Sequence, residues 1–274
     1  QGSVFIEGVD INNQTITDLA KKMSVVLTDK IETVNMTVFD IVSLGRFPYT
    51  NWLGKIEHTD NIIIHQSIER VGLQGFADRT IDTLSDGEKQ RVMIARALAQ
   101  NTPFIMLDEP TAHLDLPNRI EIMKLLKELA RSTYKSILLS THELDLALQV
   151  ADRIWLMQHN KPIACGTPED LVLQGDFEQA FKKQSFDFDI TNGLFKIVYT
   201  FKHSVSMSGN KIYAFWTKRA LHRHGFAICD QQEHIPHIEI HNKQWILHTQ
   251  QTTTICKSIF ELLIALNSTY YKQI

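Results

Sequence analysis

What the sequence has little of narrows the field first. Its cysteines number three, Cys165, Cys229 and Cys256, far apart and with no CxxC pair. An odd, scattered set fits a reducing compartment better than a disulfide framework. Neither sign of charge is in surplus: 28 basic residues stand against 31 acidic, a net charge of −3. That balance argues against a dedicated nucleic-acid binder, which carries a basic excess. No apolar run approaches the roughly 18 to 20 residues that cross a bilayer. No signal peptide, internal repeat or low-complexity tract is visible. Glycine is sparse, 12 in 274 residues, and no two glycines stand five positions apart. The first residue is Gln1 rather than Met, and VFIEG reads like the middle of a domain; the expectation is a fragment, a processed chain or an incomplete gene model. A chain of this length makes one large domain or two smaller ones and buries roughly three quarters of its unfolded surface.

What is there reads as α/β. SVFIEGVDI, TITDLAKKM and SVVLT predict strand, short helix and strand. NMTVFDIVSLGRF, DNIIIHQSIERVGL and GEKQRVMIARALAQ, within about 35–100, place apolar residues at helical spacing. FIML, residues 104–107, is a continuously apolar strand. LPNRIEIMKLLKELARS follows as a helix with Ile120, Met123, Leu126 and Leu129 on one face, and SILLSTH is a second apolar strand. Strand, helix, strand at this spacing is a crossover unit, which predicts a parallel sheet covered on both faces. IWLMQ and PIACG follow as two short strands, and 168–183 reads as helical. From about Phe186 the texture changes to short β-like runs, FDFDI, LFKIVYTF, KIYAFW, FAIC, HIEIH and QWILH, with a helix near TKRALHRHG and another at KSIFELLIALN. Tyr213, Trp216 and Trp245 are expected in a small core there, and Phe260, Leu263 and Leu266 on the buried face of the last helix.

The chemistry gathers at strand ends. Ligands of an open parallel sheet sit outside the carboxyl ends of its strands. Asp108 and Glu109 follow FIML, and His142 follows SILLST. One carboxylate with substrate oxygens suits a hard Mg2+ ion, and a second can orient or deprotonate a water; alone, Asp-Glu-Pro also reads as an ordinary charged turn. In LSDGEKQRVMIARAL, Ser85 and Glu88 form the S-x-x-E of a capping box. The same helix start, with Asp86 and Gly87 beside the Ser85 hydroxyl, also suits an anion.

In this order the segments resemble the nucleotide-binding subunits of ABC transporters over roughly residues 1–180. LSDGE looks like the ABC signature, with Asp86 where Gly is more usual. FIMLDE is similar to Walker B, AHLD with Asp115 to the D-loop, and His142 to the switch histidine. The resemblance implies a RecA-like, P-loop NTPase-type parallel sheet with a helical subdomain, and ATP and Mg2+ as cofactors. It implies that Asp108 organises the metal, Glu109 polarises the attacking water and His142 senses the γ-phosphate. Ser85 and Gly87 would contact ATP held by a second copy in a head-to-tail homodimer. A membrane permease is the implied direct partner, a substrate-binding protein an indirect one, and the cytoplasmic face of the membrane the implied location. NMTVFDIVSLGRFPYTNWLG resembles the ATPases of ferric-siderophore, haem and cobalamin importers, in which this region faces the permease. DNA-repair or translation ATPases of the same family usually carry coiled coils or tandem cassettes, and neither is present here.

Two departures stand out. The family's phosphate loop, GxxxxGK[ST], needs two glycines five apart, and no such pair exists in this sequence; the expectation is that it lies upstream of Gln1. The Gln that usually follows the first strand is replaced by Thr28, which keeps an oxygen with less reach, and Asp29 or Glu32 are candidate substitutes. Without its loop the chain is expected to turn over little ATP, or to serve as a split subunit that donates only its signature. Residues 186–274 read as a C-terminal α+β extension. Its seven histidines, among them His222, His224, His234 and His237, match no zinc spacing and are expected to be solvated or packed.

Overall fold

In the computed structural model, residues 2–28, 35–50, 54–181, 186–230 and 235–271 are described. The chain divides into two compact units, 1–180 and 181–274. The first opens with an antiparallel hairpin, β1 (Phe5–Ile6) and β2 (Val9–Asp10). Helix α1 (Ile16–Lys22) follows, started by Thr15, whose hydroxyl accepts the Asp18 N–H, and leads into β3 (Met23–Val26). Next come α2 (Val38–Ser43), a 3-10 stretch Leu44–Tyr49, α3 (His58–Arg70) and α4 (Asp86–Ala99). The Walker-B-like run is β4 (Phe104–Leu107), followed by α5 (Leu116–Thr133) and β5 (Ser136–Leu139). Helix α6 (Leu144–Val150), the hairpin β6 (Ile154–Leu156) and β7 (Ala164–Gly166), then α7 (Pro168–Leu173) complete the unit, and α8 (Asp176–Phe181) spans the division.

Strands β3, β4 and β5 form a parallel sheet in that order, with Val26, Leu107 and Leu139 in one row. Three chains therefore leave the sheet side by side. The Asp108 N–H donates to the Val26 carbonyl at 2.8 Å and the Ser140 N–H to the Leu107 carbonyl at 3.0 Å, which carries the alignment one residue beyond the strands. Val26, Ile105 and Leu107 share a core with Val92, Ile94 and Leu98 of α4 and Ile122, Leu126 and Leu129 of α5. Of the predicted apolar stripe of α5, Met123, Leu126 and Leu129 are buried and Ile120 is half-buried, while Ile122 and Leu125 join the buried face.

The helical segment is held by a buried ion pair. Arg46 Nε donates to Asp60 Oδ1 at 2.8 Å, and its Nη1 donates to the Ala99 carbonyl at 2.8 Å, the end of α4. Both residues are only 6% exposed. Gly45 touches the same helix: a Cβ there would overlap the Arg96 carbonyl oxygen. In the Gly-Arg-Phe-Pro-Tyr stretch, Gly45 and Arg46 therefore pack inward, whereas Phe47 is exposed and Tyr49 half-exposed.

The second unit begins with a hairpin, β8 (Phe186–Asp189) and β9 (Leu194–Ile197). Then follow β10 (His203–Gly209), α9 (Lys211–Arg223), β11 (Phe226–Cys229), β12 (His237–His241), β13 (Gln244–His248), β14 (Thr253–Cys256) and α10 (Ile259–Tyr271). The sheet order is β11-β10-β12-β13-β14. Strand β10 pairs in parallel with both neighbours, and the remaining pairings are antiparallel. Val205, Phe226, Ile238, Trp245 and Leu247 pack under Leu221 of α9 and Leu262 and Leu266 of α10.

Two expectations for this unit need correction. KIYAFW is the start of α9, not a strand. The Asn210 side chain accepts the Ile212 N–H at 3.0 Å and starts a helix whose inner positions are Tyr213, Thr217, Ala220 and Leu221, a 3.6-residue repeat that overrides the local alternation. Trp216 and Phe260 therefore point outward, and Trp245 alone of the two tryptophans is buried, its Nε1–H donating to Thr217 Oγ1 at 2.7 Å. Among the described histidines, His237 lies between Ser206 Oγ and Ser208 Oγ, at 2.9 Å each, and stacks near His248, and the His224 ring bonds the Ala220 carbonyl. His234 lies outside the described residues, as do Asp29 and Glu32.

Candidate nucleotide and metal site

The aligned strand ends bring Thr28, Asp108, Glu109, Ser140 and His142 together on one rim. Ser140 Oγ donates to Asp108 Oδ1 at 2.7 Å and accepts the Glu109 N–H at 2.9 Å. Thr28 Oγ1 lies 2.9 Å from the Asp108 carbonyl oxygen and 3.2 Å from Asp108 Oδ2. His142 Nε2 stands 2.7 Å from Glu109 Oε1, with its side chain 88% exposed. The Glu109 backbone has φ 45 and His113 φ 63, in the left-handed region. A non-glycine residue there costs on the order of 1 kcal/mol or more, and such residues cluster where a side chain must be aimed.

Ser140 was not singled out in the sequence, although it is the residue that ties the two acids together. The signal was present: a hydroxyl residue ends the apolar SILL strand, one position beyond the row that contains Leu107. Its two bonds fix the Asp108 carboxylate from one side and the peptide carrying Glu109 from the other.

The second group of residues surrounds the start of α4. Ser85 N donates to Glu88 Oε2 at 2.8 Å, Ser85 Oγ donates to the same oxygen at 2.7 Å, and the Glu88 N–H returns to Ser85 Oγ at 3.3 Å. The Ser85 hydroxyl and then its N–H hold the Glu88 carboxyl below the usual carboxylate range. The capping-box reading is thus correct, and such a cap contributes about 1 kcal/mol. Gly87 is buried beneath Asn118: a Cβ there would lie 2.7 Å from Asn118 Oδ1. Asn118 is bonded in turn to Asp115, the cap of α5, through its backbone N–H at 3.2 Å and its side-chain amide at 2.7 Å. The signature-like helix start and the D-loop-like Asp115 therefore meet through one amide. A further link, Arg119 Nη1 to Glu143 Oε1 at 2.6 Å, ties α5 to the residue after His142.

The rim suits a hard cation in kind. Asp108 supplies a carboxylate with hydroxyls beside both of its oxygens, oxygen-ligand chemistry that suits Mg2+. Among the described residues no three His, Cys, Asp or Glu side chains converge on a point. A cation there would complete its shell with water and phosphate oxygens, which is how Mg2+ usually binds.

A parallel sheet with acids at its carboxyl rim and a capped helix leading into it fit an ATP-binding cassette, and comparison with known proteins shows the family. The ABC transporter family model matches residues 1–112, and a model for an iron ABC transporter C-terminal domain matches residues 202–267. An uncharacterized ABC transporter ATP-binding protein of Methanocaldococcus jannaschii is 36% identical over 197 residues, 72% of this chain and 68% of its own. The achromobactin transport ATP-binding protein of Dickeya dadantii is 35% identical, over 69% and 68%. The petrobactin import ATP-binding protein YclP of Bacillus subtilis is 34% identical, over 66% and 71%. Among solved structures, cbiO1 of Clostridium perfringens, part of the ABC transporter complex cbiONQ, superposes with a TM-score of 0.56 at 26% identity, over 65% of this chain and 71% of its own. The chain belongs to the ATP-binding proteins of ABC transporters. Among the described residues no helix is long and apolar enough to cross a membrane.

Proposed function

We propose that this chain is the ATP-hydrolysing subunit of an ABC importer for an iron chelate, haem or a corrinoid. The observation that carries the reading is the single rim on which Asp108, Glu109 and His142 stand with Thr28 and Ser140. Asp108 would hold Mg2+, with Thr28 and Ser140 keeping its carboxylate in place. Bound there, the metal would supply charge neutralisation for the phosphate oxygens. Glu109 accepts a proton from, or orients, the attacking water, and the His142 imidazole beside it reads the γ-phosphate. Ser85, Asp86, Gly87 and Glu88 start a helix whose N-terminus faces ATP held by a second copy, and Asp115 lies across the same junction. A head-to-tail homodimer makes both sites at once by two-fold symmetry. The exposed Leu44, Phe47 and Tyr49 offer the permease an apolar contact, and a substrate-binding protein acts only through that permease. The chain would work on the cytoplasmic face of the membrane. Relatives named for achromobactin transport, petrobactin import and a probable siderophore transport system support the choice of cargo, as does a cobalamin import ATP-binding protein of Halobacterium salinarum.

A second reading rests on one observation: no glycine pair in this sequence can build the phosphate cradle. In a protein that carries no such loop, this chain would donate only its signature half-site to a partner. Steady-state ATP turnover separates the two. We expect little turnover from residues 1–274 alone and full turnover when a GxxxxGK[ST] segment is joined ahead of Gln1. Turnover by the chain alone comparable to an intact family member, in a preparation free of contaminating ATPase, contradicts the account of the cradle. No gain from the added segment favours the half-site reading.

A further inference from the structure

Charge is divided unevenly along the chain. Residues 1–180 carry 17 basic and 25 acidic side chains, and 181–274 carry 11 and 6, so a formal −8 stands beside a formal +5. Four of the eleven cations lie on one helix. Lys211, Lys218, Arg219 and Arg223 of α9 are all exposed, and the helix holds no acidic residue. The same outward face is apolar between them. Ile212 is 70% exposed, Phe215 56% and Trp216 55%. Phe215 and Trp216 meet edge-on at 5.5 Å, and the Arg219 guanidinium lies 5.2 Å from the Trp216 ring and 5.9 Å from that of Phe215. Helix α10, which shares the core of α9, also turns Phe260 and Ile264 outward. The buried positions of α9, Thr217, Ala220 and Leu221, already satisfy its inner face, so these outer side chains are not required by the fold of the unit.

We propose that the outer face of α9 is a lipid-contact surface that lies on an anionic bilayer. Charge complementarity selects the occupant. A helix with cations and no acids, and with Ile, Phe and Trp between the cations, matches the headgroup boundary: the rings enter the acyl edge while Lys and Arg reach back to phosphates. Trp is the side chain most suited to that depth, and Arg219 over its face stays paired as water is removed. The helix of 13 residues is about 20 Å long, enough to lay its whole outer face in the interface. A protein acceptor would have to supply an apolar patch ringed with acids at matching spacing; a bilayer containing acidic lipid supplies both by composition. This contact is independent of ATP chemistry and adds a direct membrane attachment to the one a permease would provide.

The test is co-sedimentation of the full chain, without nucleotide, with vesicles of phosphatidylcholine alone and of phosphatidylcholine mixed with phosphatidylglycerol. Binding is expected to the mixed vesicles only and to weaken as salt rises. Each cation near such a surface contributes about 1 kcal/mol, close to fivefold, so Lys218→Gln with Arg219→Gln should cut partitioning on the order of 25-fold. Phe215→Ser with Trp216→Ser should cut it as well, and circular dichroism checks that both variants remain folded. Should the aromatic variant fail to fold, the charge variant still decides. No binding to the mixed vesicles, equal binding to both, or unchanged binding by a folded charge variant overturns the proposal. It is also overturned if the aromatic variant changes the chain's oligomeric state without lipid, since the face then belongs to a protein contact.

Discussion

Deleting the Asp60 side chain (Asp60→Ala) should loosen the helical segment far more than any surface change. Asp60 and Arg46 are each 6% exposed and bonded at 2.8 Å. Removing one member of a buried pair leaves the other charge without compensation, which costs about 3 to 5 kcal/mol. Arg46 would retain its bond to the Ala99 carbonyl and the Tyr49 ring 4.1 Å from its guanidinium, neither of which carries a negative charge. Asp60 also accepts the Glu57 N–H at 3.0 Å and so caps α3, a further loss of about 1 kcal/mol. The expected total is about 4 to 6 kcal/mol, comparable to the whole stability of many domains. The double change Arg46→Met with Asp60→Leu removes both charges and should recover most of it, leaving a deficit of about 1 to 2 kcal/mol for the lost cap and the orphaned carbonyl. Amide hydrogen exchange suits this test, because it reads opening of α2, α3 and α4 separately from the C-terminal unit. If Asp60→Ala raises exchange there by less than about 1 kcal/mol, or if the double variant is no better than the single, the pair does not hold the segment and the reasoning fails.

Gly45→Ala should destabilise the same segment by about 1 to 3 kcal/mol, since its Cβ meets the backbone carbonyl of Arg96, which cannot swing away; an unchanged melting temperature refutes the close approach. Acid should weaken the protein below about pH 4. The Asp40 carboxyl is held below its ordinary range by the Thr37 hydroxyl and N–H; at Asp60 burial pushes upward but is outweighed by the Glu57 N–H and Arg46; the Ser85 hydroxyl and N–H lower Glu88. Lys196 and Asn192 hold Asp189 at about 2. Each depressed carboxyl contributes stability that is present above its unfolded value near 4 and is lost as pH falls through the folded one. Denaturant midpoints that stay level from pH 6 to about 3 would contradict this.

The parallel sheet and its acidic rim were legible because they are written in local signals. FIML and SILL are unbroken apolar strands, and a change from apolar to acidic at Asp108 marks where the strand leaves the core. The caps at Ser85 and Asp115 were legible for the same reason: a cap is a bond between residues three apart. Ser140 was not, because its importance lies in bonds to residues 31 and 32 positions away on a neighbouring strand. The inward role of Arg46 was hidden likewise, since an arginine beside Phe and Tyr reads as surface until Asp60 and Ala99 are placed around it. Strand β10 was invisible for a different reason. HSVSMSG has a serine at three of its seven positions and is polar by composition, yet it is the strand on which β11 and β12 both pair, with Val205 facing the core and Ser206 bonded across to His237. Backbone pairing, not side-chain hydropathy, makes it central.

The central claim is that Glu109, placed by Ser140 and partnered by His142, activates the water that attacks ATP. Glu109→Gln, made in a form of the protein that carries a GxxxxGK[ST] segment, tests it most directly, because the amide keeps the shape and removes the base. ATP binding should persist, turnover should fall on the order of 10²- to 10⁴-fold, and ATP-bound dimers should accumulate in sedimentation. Hydrolysis by Glu109→Gln at close to the unsubstituted rate would contradict the assignment.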